Sequence, residues 1–369
     1  MEQYSILSYN YIIYFDFIIN NRMELDLYAI DIKDFKNIGN NVVKFNNNSS
    51  LSVFSSDKED IQKLLISTNE NKFDDKIRVN VNAVGLENII EVEKDRNIYN
   101  VLCKASNSIN YIYSNILLFE PKYILYNGLD FNIYFQQINE KNKPVDEIKK
   151  LASKNSVPLT YKKEKKIIFK IGIKPNKKSP LISYSGLFEL DNSMEYDLKV
   201  EVDNSYKSQY PRNVYYMSKK LYLYFRVNNK ITNEGNVYLY ITFPEFPLLE
   251  IDNRTKEQIK IYETKKDDPI IINSMSKIPF IWKNNVIMKD KFICEIAGRQ
   301  NILSFSLYDK KQVKIGENRI ICIYNHQKNT LTGTRCITFE EIKIKKKSKL
   351  KKYNKAKEDL LESIHSKMK

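Results

Sequence analysis

Apolar and polar residues alternate with a period of two along most of this chain. In YDLKVEV (196–202) every second residue is apolar, and LYLYFRV (221–227) and VYLYITF (237–243) are rich in aromatic and β-branched residues. These features are typical of half-buried strands. A turn-rich segment, NNKITNEGN, separates the last two runs. The pattern predicts an all-β protein of tandem antiparallel β-sandwich modules.

Helical periodicity is scarce. It occurs in DIQKLLIS (60–67), in VDEIKKLASK (145–154) and in the C-terminal tail (341–369). We therefore predict short helices at the first two segments and a basic, amphipathic helical tail at the third.

One stretch of the sequence occurs twice. PKYILYNGLDFNIYFQQ begins at Pro121 and PLLEIDNRTKEQIKIYE begins at Pro247, 126 residues later, and the same spacing separates Asn127 from Asn253. Downstream, SVPLTY (156–161) matches KIPFIW (277–282), and KIIFKIGI (166–173) matches KFICEI (291–296). Matched features in the same order predict an internal repeat.

Four regions follow from these observations. We predict a partial or divergent β module over 1–75, two β repeat modules over 76–180 and 181–340, and the basic tail over 341–369.

Each copy is predicted to contain a hairpin at its asparagine. A strand ends at Asn127 or Asn253, and a second strand follows after a short connection; Asn-Gly in the first copy is a strong hairpin signal. The asparagine either holds the turn by bonding backbone groups or contacts a ligand. Pro121 and Pro247, which lack an N–H, suit the first residue of an edge strand.

Trp282 is the only tryptophan of the chain. It follows a proline and lies between predicted strands. An indole buries a large apolar area, so the residue is either a partly buried anchor or a recognition residue.

The positive charge is concentrated in the tail. The chain carries a formal charge of +15, and residues 341–369 contribute +7 of it with eleven lysines against four acidic residues. Such a tail is either an amphipathic helix on anionic lipid or a partner, or a solvated C-terminus. The candidate membrane-binding residues are Lys345, Lys346, Lys347, Lys349, Lys351 and Lys352.

No segment has the apolar length of a membrane-spanning helix. YNYIIYFDFIIN (9–20) comes closest, but Asp16 interrupts it, and we interpret it as a strand, with a signal or anchor as the alternative. The four cysteines show no paired spacing, which predicts free thiols and a reducing compartment.

Catalysis has little support. The only histidines are His326 and His365, and the chain has neither a phosphate-binding glycine loop nor a dinucleotide fingerprint. We therefore predict no enzyme, no cofactor and no metal. Nucleic-acid binding is the runner-up, since basic and aromatic β surfaces bind single strands, but no RNP-like or zinc pattern occurs.

Four motifs together resemble a known family. PKYILYN with its downstream IYFQQ, YSGLF at 184–188, LLEIDNR and IPFIW are similar, in this order, to the adaptor-binding (SHR-binding) region of the vacuolar protein sorting-associated protein 13 family, over roughly residues 75–300. The match departs from the family at Lys122, where arginine is usual, at Tyr184, where tryptophan is usual, and at 283–285, where acidic residues and proline are usual.

The resemblance implies a β-repeat module that docks short proline-containing peptides of organelle adaptors. Such a module positions a lipid-transfer protein at membrane contact sites, in the cytoplasm and peripheral to organelle membranes. Asn127 and Asn253 match the asparagine characteristic of the family's repeats, and strand addition is the expected docking mode. The candidate protein-binding residues are Asn127, Asn253, Pro121, Pro247 and Trp282. A purely structural β scaffold is a further alternative.

Overall fold

A computed structural model describes residues 17–37, 42–53, 63–81, 84–85, 87–107, 115–176, 179–190, 195–217, 220–262, 269–282, 291–304, 310–315, 319–327 and 333–343. The described chain is almost entirely β, which confirms the predicted fold class. The strands form three two-sheet modules.

The described part of module 1 has nine strands and a short 3-10 helix, Ile32–Asn37, after its second strand. The strands are β1 Phe17–Asn21, β2 Leu27–Asp31, β3 Val43–Phe45, β4 Ser49–Val53, β5 Lys63–Ser67, β6 Arg78–Asn80, β7 Glu87–Lys94, β8 Asn97–Asn107 and β9 Asn115–Pro121.

Module 2, where the structure describes it, has ten strands and the helix α1, Asn204–Gln209, which Asp203 caps by accepting a bond from the Ser205 N–H. The strands are β10 Tyr123–Asn127, β11 Ile133–Ile138, β12 Lys149–Leu151, β13 Ser156–Pro158, β14 Ile168–Ile173, β15 Ser183–Glu189, β16 Tyr196–Val202, β17 Val214–Met217, β18 Lys220–Ile231 and β19 Val237–Thr242.

In module 3 the described residues again form nine strands. They are β20 Leu249–Arg254, β21 Ile259–Tyr262, β22 Ile270–Ile272, β23 Ser276–Pro279, β24 Lys291–Ile296, β25 Arg299–Ser304, β26 Lys310–Lys314, β27 Arg319–Gln327 and β28 Arg335–Lys343.

The three modules share one topology. The first sheet has the orders β4-β1-β9-β8-β7, β13-β10-β19-β18-β16 and β23-β20-β28-β27-β26, and the second has β3-β2-β5-β6, β12-β11-β14-β15 and β22-β21-β24-β25. Among the strands that the structure describes, β17, which pairs with β18, is the one without a described counterpart in the other modules. In each module the first strand runs parallel to the last, and all other neighbours in these sheet orders are antiparallel. The chain is therefore a tandem of three copies of one sandwich.

The module boundaries differ from the predicted ones. The predicted division at 75/76 falls between β5 and β6, and the one at 180/181 falls between β14 and β15, although both pairs are hydrogen-bonded neighbours in one sheet. The region 1–75 is thus the first part of a whole module. The last strand of module 1, β9, ends at Pro121, and β10 of module 2 begins at Tyr123. The sequence therefore contains no linker that would mark this module boundary.

Both predicted helices in the body are wrong. The described part of 60–67 is β5, and the centre of 145–154 is β12. Leu64, Leu65 and Leu151 are buried between paired strands, so tertiary packing overrides the helical spacing. The predicted tail helix lies outside the described residues.

Each module has its own apolar core between its two sheets. Modules 1 and 2 are joined by backbone bonds: Ile98 and Tyr161 exchange N–H···O bonds of 2.7 and 3.3 Å, and the Lys122 N–H donates to the Asn100 carbonyl at 2.8 Å. Module 1 and most of module 2 belong to one compact unit, and module 3 belongs to a second.

Candidate functional site

The first candidate, Asn127, is a fully buried residue at the end of β10. Its Nδ2 group donates to the Phe131 carbonyl at 2.8 Å and to the Ala152 carbonyl at 3.0 Å, and its Oδ1 accepts the Leu129 N–H at 3.1 Å. Ala152 directly follows β12, so one side chain joins the turn after β10 to the end of a strand in the facing sheet.

Asn253 makes the same set of bonds in module 3. It is fully buried, donates to the Glu257 carbonyl at 2.9 Å and the Asn273 carbonyl at 2.8 Å, and accepts the Thr255 N–H at 3.0 Å. The Thr255 hydroxyl donates a further bond to Oδ1 at 2.8 Å. The first acceptor, four residues after the asparagine, and the donor, two residues after it, are at the same spacings as for Asn127, while the second acceptor is 20 residues away instead of 25.

Sequence reasoning missed the third member of this set, Asn21. It ends β1, is fully buried, and donates at 3.0 Å to the carbonyls of Leu25 and Asn46 while it accepts the Met23 N–H at 3.0 Å. A signal was present, because in all three copies an apolar strand residue follows six positions after the asparagine. The spacing of 106 residues to Asn127, rather than 126, concealed it.

These asparagines are at corners between sheets and not in hairpins, so the predicted hairpin is wrong. β10 and β11 belong to different sheets, as do β20 and β21. Asn127 and Gly128 do not adopt the positive φ that a tight Asn-Gly hairpin turn requires. Instead the Gly128 N–H continues the pairing with β19 by donating to the Ile241 carbonyl at 2.8 Å.

The three side chains thus hold chain corners, and of the two roles left open by the sequence the geometry favours the structural one. Each amide donates to the carbonyl four residues later, in its own turn, and to the carbonyl of the residue that follows a strand of the other sheet. We call this arrangement the asparagine corner. It makes the path from one sheet to the other the same in every module.

Pro121 and Pro247 do not begin edge strands, so the predicted position of both prolines is wrong. β10 and β20 lie inside their sheets, each between two other strands. Pro121 is the last residue of β9, where its carbonyl accepts a bond from Nδ2 of Asn236 at 2.8 Å, and Pro247 is a buried residue just before β20.

Two other prolines do occupy edge strands. β13 and β23 stand at the margins of their sheets within the described part of the chain. The N–H groups of Leu159 and Phe280 point inward, donating to Tyr123 and Leu249 at 2.9 and 2.8 Å, so the preceding Pro158 and Pro279 face outward. Each proline removes an N–H from the outer margin of its sheet, which limits pairing with another strand.

Trp282 is a partly buried anchor. Its ring meets Phe280 edge-on, with centroids 5.1 Å apart, and packs against the core of module 3. The predicted lysines of the tail, from Lys345 to Lys352, lie outside the described residues.

A tyrosine ladder lies on the outer face of the larger sheet of module 2. Tyr126 of β10 is paired in register with Tyr240 of β19, while their neighbours Leu125 and Leu239 face the core. The Tyr126 and Tyr240 rings meet edge-on at 5.3 Å, and Tyr238 stacks on Tyr240 at 5.7 Å. These three half-buried rings form a continuous aromatic surface.

The buried thiols do not form a reactive centre. Cys103, Cys294, Cys322 and Cys336 are all buried and free, as the sequence predicts. Burial raises the pKa of Cys294 to about 12 and raises the pKa of Cys103 well above its ordinary value. These thiols stay protonated near neutral pH and are poor nucleophiles.

We expect iodoacetamide to leave all four thiols of the native chain unmodified at about pH 8.5, where an ordinary cysteine is half ionised. After unfolding in guanidinium at the same pH, all four should react. Mass spectrometry reads both outcomes. A thiol alkylated in the native chain as quickly as in the unfolded one would contradict its burial.

Within the described segments, no group of three or more His, Cys, Asp or Glu side chains is arranged to hold a metal ion. None of the helices described in this chain combines the length and the apolarity that crossing a bilayer requires.

Neither a search of protein-family models nor a search of curated proteins finds a match for this chain. The resemblance to the adaptor-binding region therefore stays a prediction.

Proposed function

We propose that this chain is a non-enzymatic protein-binding protein of the adaptor-binding type. It docks short proline-containing peptides of organelle adaptors and acts in the cytoplasm, peripheral to organelle membranes, in vesicle traffic or at lipid-transfer contacts.

The positions of the resembling motifs support this proposal. YILYN and LEIDN form equivalent strands, β10 and β20, and each ends in an asparagine corner. VPLTY and IPFIW likewise include the ends of the equivalent edge strands β13 and β23. The motifs thus recur at matching places in a repeated module.

The observation that carries the proposal is the tyrosine ladder. Proline-rich segments adopt the extended polyproline II conformation without much loss of entropy, and they dock on aromatic-lined surfaces. Tyr126, Tyr238 and Tyr240 offer such a surface on the strand that carries the resemblance, β10, and on its neighbour β19.

Strand addition at β13 or β23 is the less favourable docking mode. At the outer margins of β13 and β23, Pro158 and Pro279 have no N–H to donate, and β13 is only three residues long. A peptide that added there would find few donors. Docking across the tyrosine ladder requires no free sheet edge.

The proposal is tested with an array of labelled synthetic peptides that contain one or two prolines in varied contexts. The full chain should bind a subset of them, and Tyr126→Ala combined with Tyr240→Ala should weaken that binding by about tenfold or more, as truncation of central aromatic contacts does. Fluorescence anisotropy measures the affinities.

The matched control is Tyr134→Ala, which removes a half-buried tyrosine from the other sheet of the same module. It should bind peptide like the wild type, and circular dichroism should show all variants folded. If no proline-containing peptide binds, or if the double variant binds as well as the control, the proposal fails.

A further inference from the structure

The charge outside the tail is concentrated in one part of module 2. Residues 1–340 carry a net charge of +8, and residues 139–174 alone account for +7, with eleven lysines against four acidic residues. Such a local excess is an electrostatic feature of its own, separate from the tail.

The structure brings most of these lysines into two loops, 139–148 between β11 and β12 and 159–167 between β13 and β14. We call them the lysine loops. Gln137, a fully buried residue of β11, joins them: its Nε2 donates to the Lys162 carbonyl at 2.8 Å, and its Oε1 accepts the Lys162 N–H at 2.6 Å. The Gln137 N–H donates to the Asp146 carboxylate in the other loop at 2.9 Å.

The lysines differ in their pairing within this arrangement. Lys149, the first residue of β12, forms an ion pair with Asp146 at 3.1 Å. Lys166, near the start of β14, forms an ion pair with Glu189 at 3.2 Å. Four others are exposed and form no ion pair with any residue that the structure describes; they are Lys141, Lys143, Lys163 and Lys165. Their charges are therefore available to an external anion.

The chemistry of the loops favours the surface of a lipid bilayer over a nucleic acid. Lysine is a compact point charge suited to a diffuse array of phosphates. The only aromatic residue in the loops is Tyr161, which is buried and bonded to Asn100, so the loops offer no ring for base stacking. Ile148 is 48 % exposed at the end of the first loop and can enter the headgroup region.

We infer that the lysine loops bind the anionic surface of a phospholipid bilayer. The attraction comes from the unpaired lysines, while Ile148 adds a small apolar contact. This inference does not depend on peptide docking, because the loops and the tyrosine ladder use different residues.

The test is co-sedimentation of the full chain with vesicles of phosphatidylcholine mixed with phosphatidylserine. Lys141, Lys143, Lys163 and Lys165 are changed together to glutamine. Because each lysine close to an anionic leaflet adds to the attraction, this variant should bind at least about tenfold more weakly at ~0.15 M salt. Vesicles of phosphatidylcholine alone should not bind the wild type.

The matched control removes four exposed lysines elsewhere, Lys63, Lys72, Lys76 and Lys256, so that net charge falls equally. A second comparison changes Lys345, Lys346, Lys347 and Lys349 to glutamine in the tail. The inference is supported if the loop variant loses clearly more binding than the first control, whether or not the tail variant also weakens.

Three outcomes would overturn it. The loop variant could bind vesicles as well as the control, the tail variant alone could abolish binding while the loop variant keeps it, or a labelled single-stranded oligonucleotide could bind to the same lysines more tightly than the vesicles do. Circular dichroism checks that every variant is folded.

Discussion

Replacing Asn127 with alanine should lower the free energy of unfolding by about 3 kcal/mol. The substitution leaves the carbonyls of Phe131 and Ala152 and the Leu129 N–H without their present partner. Each buried polar group that loses its partner costs about 1–3 kcal/mol. Urea denaturation followed by circular dichroism measures the change through the midpoint.

Two further variants sharpen this prediction. Asn127→Asp keeps the shape of the side chain but places a carboxylate oxygen against two carbonyls, so it should destabilise at least as much as alanine. Asn71→Ala, at an exposed asparagine of module 1, should stay within about 0.5 kcal/mol of the wild type. If Asn127→Ala behaved like Asn71→Ala, the asparagine corner would not support the module.

Replacing Arg226 with methionine should cost about 3–5 kcal/mol. Arg226 of β18 lies directly opposite Asp197 of β16, and its guanidinium meets the carboxylate with two bonds of 2.7 and 3.2 Å. The side chains are only 15 % and 5 % exposed, so the methionine variant removes the guanidinium from a buried carboxylate. Burying a charge in this way is much more costly than losing an exposed pair.

The chain contains a suitable control for this pair. Arg254 binds Asp252 at 2.8 Å, but its side chain is 57 % exposed. Arg254→Met should therefore cost less than about 1 kcal/mol in the same urea experiment. The double change Arg226→Met with Asp197→Leu should recover part of the loss, since the buried carboxylate is then removed together with the guanidinium. Equal costs for the two arginine variants would refute this account of the buried pair.

The sequence predicts the fold class well because strand periodicity is local. The alternation in 196–202 and in 221–243 comes directly from which side chains meet the core of module 2. The copies at Asn127 and Asn253 were recognisable for the same reason, since each asparagine must follow a buried strand and precede another.

The remaining features depend on contacts between distant residues. The strand after Asn127 enters the facing sheet, and the corner there includes a bond to the Ala152 carbonyl, 25 residues away, which no local pattern reveals. Module boundaries depend in the same way on the parallel pairing of first and last strands. The segment 145–154 has helical spacing, but Leu151 is buried against Ile133 as part of a strand pair.

The candidate surfaces differ in how far the sequence could have indicated them. A running sum of charge would have located the lysine-rich segment, although not the bonds of Gln137 that hold its two loops together. The tyrosine ladder required the parallel register of Tyr126 with Tyr240, which joins residues 114 positions apart.

The measurement that tests the central claim most directly compares Asn21→Ala, Asn127→Ala and Asn253→Ala in one denaturation series. Trp282 lies in module 3, so its fluorescence follows that module, while circular dichroism follows the whole chain. If three equivalent modules each depend on the asparagine corner, all three variants should lose stability by a similar amount, and Asn253→Ala should shift the tryptophan transition most. If the Asn21→Ala variant unfolded at the same urea concentration as the wild type, that result would contradict the claim that the chain contains three copies of one sandwich, each held by an equivalent asparagine.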